Sequence, residues 1–377
     1  MRRIGVTVAV AALWLTAAQV VAAPPASAHS VAGVTGTNYR TELKAVTPQV
    51  PGLKFRVIET GSRMELDNKT GQEAVVLGYQ DEPYLRVGPA GVFENTRSAA
   101  TYLNASRRGT TPVPSTASPT AAPEWRKVSS GTTARWHDHR THWMGTQDPP
   151  IVRRAPGRVH VVVPEWLVQV RMADATMVAV TGDLVWVPAP SAAPWLALAV
   201  VLLGLSVLAG LSGSWAGLLL VVLAAAVAVD VVHEVGIGFA NAGSLPVQLG
   251  RVVLGSFFSV VAWVVAAIGM RQLARRSGDG LLMAAFAGVV IGLFGGVGDL
   301  PALFSSQVPF AWSAGLARAL TAASLGLGFG LLGGAVVAIV RHRVFEVPEG
   351  EESEGEVSEG EAGSADDAAP AAARSTE

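Results

Sequence analysis

Five long apolar runs dominate the second half of the chain, at about 194–212, 215–236, 248–270, 281–299 and 312–340. Each approaches the roughly 20 residues that an α-helix needs to cross the hydrocarbon core of a bilayer. The pattern therefore predicts a five-helix transmembrane bundle over 194–341, with the lipid bilayer as its partner. Trp195, Trp215 and Trp312 stand at run ends, where indoles favour the membrane interface. Glycine recurs every fourth residue at Gly288, Gly292 and Gly296 and again at Gly326, Gly330 and Gly334. Such rows let helix backbones approach closely, which predicts tight packing of the fourth and fifth helices.

The first half alternates instead. Residues 53–79 give three short runs of alternating apolar and polar positions, divided by Thr60-Gly61-Ser62 and by Asn68-Lys69-Thr70-Gly71. Further strands are expected at 159–163, 168–172 and 176–187, with Gly182-Asp183 making a bend. This spacing predicts an antiparallel β-sandwich of the immunoglobulin-like kind over 29–190. A Pro/Ser/Thr-rich stretch at about 107–123 cannot hold a ladder and is expected to be a flexible loop. Whether that loop divides two domains or interrupts one is open, with a single composite sandwich preferred. The fold class is thus an α+β membrane protein, an extracytoplasmic β-domain followed by helices.

The chain opens with Arg2 and Arg3, an apolar run over about 4–23, Pro24-Pro25 and Ala26-Ser27-Ala28. A basic start, an apolar middle and a small-x-small end predict a signal peptide over 1–28, the mature chain then beginning at His29. The alternative is an uncleaved N-terminal anchor. With the β-domain outside, the cytoplasmic loops hold Arg271, Arg275 and Arg276, then Arg341 and Arg343, in agreement with the positive-inside rule. The predicted location is a multi-pass plasma-membrane protein.

Composition adds two constraints. Cysteine is absent, which excludes disulfides, thiolate metal sites and thiol nucleophiles. The formal charge of −1 conceals an acidic tail, because 346–377 hold 11 of the 29 acidic residues and one of the 28 basic ones. That tail, taken from 345 to 377, has no core-forming residues and is expected to be a disordered cytoplasmic extension. No nucleic-acid partner is expected.

Two constellations could carry chemistry. The segment RWHDHRTHWM, 135–144, places His137, His139 and His142 with Asp138 and Met144 in ten residues. In an extended strand His137 and His139 share a face, and a turn would bring His142 or Met144 round to them. Imidazoles at this spacing suit copper, zinc or nickel, and a thioether favours Cu(I). A free His29 terminus would add an amine and an imidazole. Against this stands a surface strand whose histidines pair with Asp138 while Trp136 and Trp143 anchor it. The second constellation is intramembrane: Asp230, His233 and Glu234 near the outer end of the second helix, Asp299 at that of the fourth, and Arg318 in the fifth, with Arg251 opening the third at the same level. Charges at such depth usually face the bundle interior and pair, and Arg318 with Asp299 or Asp230 is the preferred pair. The alternative is structural ion pairs and snorkelling side chains. No nucleophile elbow, phosphate-binding loop or His-Glu-x-x-His motif is present, so no enzyme is expected and no catalytic residue is assigned.

The segments GTNYRTEL (36–43), LGYQDEPYLRVGPAGVFEN (77–95), WHDHRTHWMG (136–145) and TGDLVWVP (181–188) resemble those of a group of uncharacterised actinobacterial exported membrane proteins. A looser resemblance is to periplasmic copper-resistance modules, which join a β-sandwich beginning with His to a multi-helix membrane domain. That resemblance implies copper as ligand and His29 as one of its ligands. Three functions follow: an exported ligand-binding domain that takes copper or a similar metal through His29, His137, His139, His142 and Met144; an envelope scaffold or accessory subunit that recruits other envelope proteins; and a small-solute or ion transporter that uses the Asp/Arg cluster.

Overall fold

The computed structural model describes residues 36–345 apart from 242, so the expected signal peptide over 1–28, His29 and the acidic tail beyond Phe345 lie outside the described residues. Ten strands are described: β1 (Tyr39–Thr47), β2 (Leu53–Ile58), β3 (Arg63–Asn68), β4 (Ala74–Leu77), β5 (Pro83–Gly88), β6 (Gly91–Asn95), β7 (Trp125–Ser129), β8 (Thr133–His137), β9 (His160–Met172) and β10 (Met177–Trp186). Seven form one antiparallel sheet in the order β1-β10-β9-β4-β5-β6-β7, and β2-β3-β8 form a second. The expected strands within 53–79 are β2, β3 and β4. The two strands expected at 159–163 and 168–172 are one, β9, which bulges at Glu165 with φ 50°.

The Pro/Ser/Thr-rich loop interrupts one unit. Before it lie β2 to β6, and after it β7 pairs with β6 while β8 pairs with β3. Met64, Leu66 and Trp136 from the small sheet meet Val76, Val87, Val168, Val170 and Val180 from the large one in a single apolar core. Between β3 and its neighbours sits the buried carboxylate of Glu65, held by Arg56 and by Arg135 at 2.7 Å. Burial alone would push its carboxyl up, but the hydrogen bonds and charges of Arg135 and Arg56 outweigh that and hold it below the usual range. Gly182 is required where β10 crosses β1, since a side chain there would strike the Glu42 carbonyl and Trp166.

Two short helices, α1 (Ala99–Leu103) and α2 (Pro150–Arg154), lie in connections of the β-domain. The membrane part comprises α3 (Ala193–Leu211), α4 (Trp215–Gly238), α5 (Leu245–Gly255), α6 (Phe257–Ala274), α7 (Gly278–Ile291) and α8 (Ala314–His342). Five spans are long and apolar enough to cross a membrane, α7 being counted with its continuation to Phe304. The third run is not one helix from 248 to 270: it breaks at Ser256, where α5 ends and α6 begins. The fourth span loses α-geometry at Gly292–Val297, a π-helical turn, and then tightens into a 3₁₀ turn at Leu300–Phe304. The glycine rows pack as expected, with a side chain at Gly328 blocked by the backbone of Gly288 and Gly292, and one at Gly334 blocked by the Ser206 carbonyl.

The β-domain and the bundle are joined by more than the chain. Thr37 and Gln307 exchange backbone hydrogen bonds of 2.9 and 2.8 Å, and the Ser306 N–H donates to Asn38 Oδ1 at 2.7 Å.

Candidate functional site

The histidine-rich segment is a strand only to His137. Asp138 then turns the chain, accepting from the Arg140 N–H at 3.1 Å while its backbone carbonyl accepts from the Thr141 N–H at 3.0 Å. The turn gathers the three rings: His139 and His142 centroids are 5.3 Å apart, and His137 and His142 6.5 Å. Each ring nevertheless donates to a backbone carbonyl. His137 Nδ1 donates to Ser62 O at 2.8 Å, His139 Nε2 to Ser106 O at 3.1 Å and His142 Nε2 to Arg107 O at 3.0 Å. These bonds fix the tautomers. His137 Nε2 then accepts from Arg63 Nε at 3.2 Å, which leaves that ring without a free donor atom for a metal.

The remaining lone pairs are those of His139 Nδ1 and of His142 Nδ1, the latter buried without a hydrogen-bond partner. Among the described residues no group of three or more His, Asp or Glu side chains is arranged to hold a metal ion. Met144 is exposed. Burial lowers the His137 imidazole to about 4 and lowers that of His142, so both stay neutral at physiological pH. Asp138 does not serve the imidazoles: it accepts from Trp136 Nε1 at 2.9 Å and from Arg140 Nε and Nη2, each at 2.8 Å. The cluster therefore clasps the 104–109 loop to the end of β8.

The intramembrane constellation is assembled by helical spacing. Asp230 and Glu234, one turn apart on α4, face a polar stripe on α6. Trp263 Nε1 donates to Asp230 Oδ2 at 2.8 Å, Ser259 Oγ donates to Glu234 Oε1 at 3.1 Å, and Ser256 Oγ donates to Glu234 Oε2. Ser256, at the break between α5 and α6, thus has its side chain turned to the carboxylate. His233 Nε2 lies 3.7 Å from Asp299 Oδ2, at the end of the π turn. Asp230, His233 and Glu234 are all buried.

Arg318 does not make the preferred ion pair. Its guanidinium donates to the carbonyls of Ala302 at 3.1 Å, Ser305 at 2.6 Å and Ser306 at 3.5 Å, because the 3₁₀ turn leaves carbonyls that the helix no longer satisfies. Arg251 Nη1 donates to the Asn241 carbonyl at 3.0 Å. Neither Asp230 nor Asp299 has a lysine or arginine partner among the described residues.

The π turn brings its backbone against Asp230. A methyl group built on Gly295 would lie 2.5 Å from Asp230 Oδ1 and 3.2 Å from Ser324 Oγ of α8. Both oxygens are fully buried and have no hydrogen-bond partner. Two unsatisfied oxygens thus face one point beside a non-α turn inside a membrane span. Ser256, Ser259, Trp263, Gly295 and Ser324 escaped the sequence reading, although 256, 259 and 263 lie at i, i+3 and i+7 opposite Asp230 and Glu234.

A cleft of about 420 Å³ opens between the β-domain and the membrane loops, lined by Glu59, Thr60, Asn241, Gln307, Val308 and Phe310 among others. No family model, curated protein or solved structure matches this chain.

Proposed function

We propose that the protein is a multi-pass envelope transporter that carries protons or small cations through the bundle, with Asp230 as the central ion-binding carboxylate and the β-domain on the outer face. The observation that carries this reading is the pair of buried, unpartnered oxygens, Asp230 Oδ1 and Ser324 Oγ, facing Gly295 of the π turn. Unsatisfied polar atoms are expensive in hydrocarbon and persist where they serve a ligand; π turns and broken helices in membrane spans are common at such places. Glu234, His233 and Asp299 continue the ionisable series towards the β-domain, with His233 Nε2 3.7 Å from Asp299 Oδ2. Orientation is supported by Arg271, Arg275, Arg276, Arg341 and Arg343, which stand at the helix ends away from the β-domain.

The test is flux through the purified full chain in liposomes loaded with a pH-sensitive dye, under a potassium diffusion potential. Wild type is expected to change the internal pH, and Asp230→Asn to lower the rate at least tenfold. Equal rates for the two overturn the reading.

A second reading, copper or a similar metal taken by the β-domain, is favoured by the convergence of His139 and His142. With two free ring nitrogens the pair needs a further ligand, and His29 would be it. This reading expects Cu(II) binding by the full chain with a Kd on the order of micromolar or tighter. Loss of that binding in His139→Ala and His142→Ala supports it, and no binding by wild type overturns it.

A further inference from the structure

We infer that the cleft between the β-domain and the bundle is the outer mouth of the ion path and that Phe310 is its plug; this rests on the transport reading. Phe310 lines the cleft on one side. On the other, its ring lies 6.0 Å from that of His233, centroid to centroid, and its edge fills the notch above Gly236, where any side chain on α4 would strike it. The Ala311 N–H bonds the Gly236 carbonyl at 2.9 Å and Trp312 stacks edge-on against Phe310 at 5.5 Å, so the plug is seated by defined contacts. Directly beneath it His233 stands 3.7 Å from Asp299. Cleft, Phe310, His233 and Asp299 therefore form one contiguous line that leads to the half-buried carboxyl group of Asp299 and the buried ones of Asp230 and Glu234.

The mouth is made to take a small hydrated cation. Its two charged lining residues are each balanced, Arg40 by Glu42 at 2.8 Å and Glu59 by Arg63 at 3.4 Å, so the rim itself repels neither sign strongly. The amides of Asn241 and Gln307 and the hydroxyl of Thr60 offer neutral oxygens that can replace part of a water shell. Selection then comes from below, where the carboxyl groups of Asp230, Glu234 and Asp299 attract positive charge in surroundings that screen it poorly.

The β-domain contributes a strained edge to this mouth. Glu59, Thr60 and Gly61 follow one another with φ of 54°, 51° and 92°. Two non-glycine residues in that left-handed region are strained, and such strain is retained where the surroundings demand a particular shape. The plug loop is in turn tied to the β-domain by the Thr37–Gln307 bridge and the Ser306–Asn38 bond. A shift of the β-domain relative to the bundle would therefore move the segment that carries Phe310.

The native chain has no cysteine, so single reporters can be read without background. Val308→Cys reports the cleft and His233→Cys the space beneath the plug, each in the full chain in proteoliposomes, with a cationic trimethylammonium-ethyl methanethiosulfonate reagent supplied on both sides. Val308→Cys is expected to react at least tenfold faster than His233→Cys. Adding Phe310→Ala should raise the His233→Cys rate at least tenfold and change the Val308→Cys rate by less than twofold. Should that variant fail to accumulate in membranes, Phe310→Leu, shorter but still apolar, should raise the rate at least threefold. A His233→Cys rate that is unchanged by these substitutions, or already equal to that of Val308→Cys, overturns the plug. Labelling reads access and not flux, so the plug can fall while Asp230→Asn still abolishes transport. Conversely, access opened by Phe310→Ala with no flux in wild type overturns the transport reading alone.

Discussion

The two ionisable clusters use similar side chains and are satisfied to different degrees. In the β-domain each of the three imidazoles donates to a backbone carbonyl and the fully buried Asp138 is saturated by Trp136 and Arg140, which leaves His142 Nδ1 as the buried ring nitrogen without a partner. In the bundle, Asp230 keeps one oxygen without a partner and Ser324 its hydroxyl. A side chain that finishes a loop's hydrogen bonds holds the fold. An unfinished one in a medium with no bulk water is a place for something to bind. The more conspicuous of the two in sequence is thus the better satisfied in structure.

Substitutions that remove one carboxylate from each cluster should separate these roles most sharply. Asp138→Ala removes the buried partner of the half-buried Arg140 guanidinium and of the Trp136 N–H and should destabilise the β-domain by about 3 kcal/mol, read as a shift in the unfolding of the full chain in detergent. The counterpart Asp230→Asn should leave unfolding nearly unchanged while flux falls. If Asp230→Asn destabilises as much as Asp138→Ala, the two clusters do the same work.

Gly295→Ala places a methyl group against Asp230 Oδ1 and should lower flux about tenfold while the β-domain unfolds as in wild type. Ser324→Ala should reduce flux about threefold and leave stability equal or slightly higher, since an unpartnered buried hydroxyl is removed. A stability loss above about 1 kcal/mol in Ser324→Ala would make the hydroxyl structural.

The smallest effect is that of pH on the histidine cluster. His137 stays neutral in the fold down to about 4, whereas its unfolded counterpart takes up a proton near 6.5. Its contribution is therefore fully present above pH 6.5 and is lost as pH falls towards 4, with His142 acting in the same direction. Melting temperature should fall across that window, and His137→Gln should flatten the fall. Below it, Glu65, held under the usual carboxylate range, adds a further loss as it protonates.

The bundle was largely legible because run length and the fourfold glycine rows are local properties. Its interruptions were not: Ser256 breaks a run that hydropathy reads as continuous, and no composition signal separates the π turn at Gly292–Val297 from an α-helix. The intramembrane acids could be named from sequence, since charge inside an apolar run is conspicuous. Their partners were missed because serine and tryptophan are ordinary residues in a membrane helix until a second helix is laid against them. Arg318 was assigned to an acid on the general rule that buried charges pair. The 3₁₀ turn supplied free carbonyls instead.

By itself, then, the sequence determined which segments could cross a membrane, which would form sheets, and where ionisable groups sit, because each depends on hydrophobicity within one or two turns. Tertiary structure alone decided that β7 and β8 rejoin strands from before the loop, that Phe310 rests on Gly236 beside His233, and that Asp230 and Ser324 turn their unpartnered oxygens to Gly295. Those facts join residues up to 94 positions apart through backbone approach and hydrogen-bond accounting, which no local pattern records.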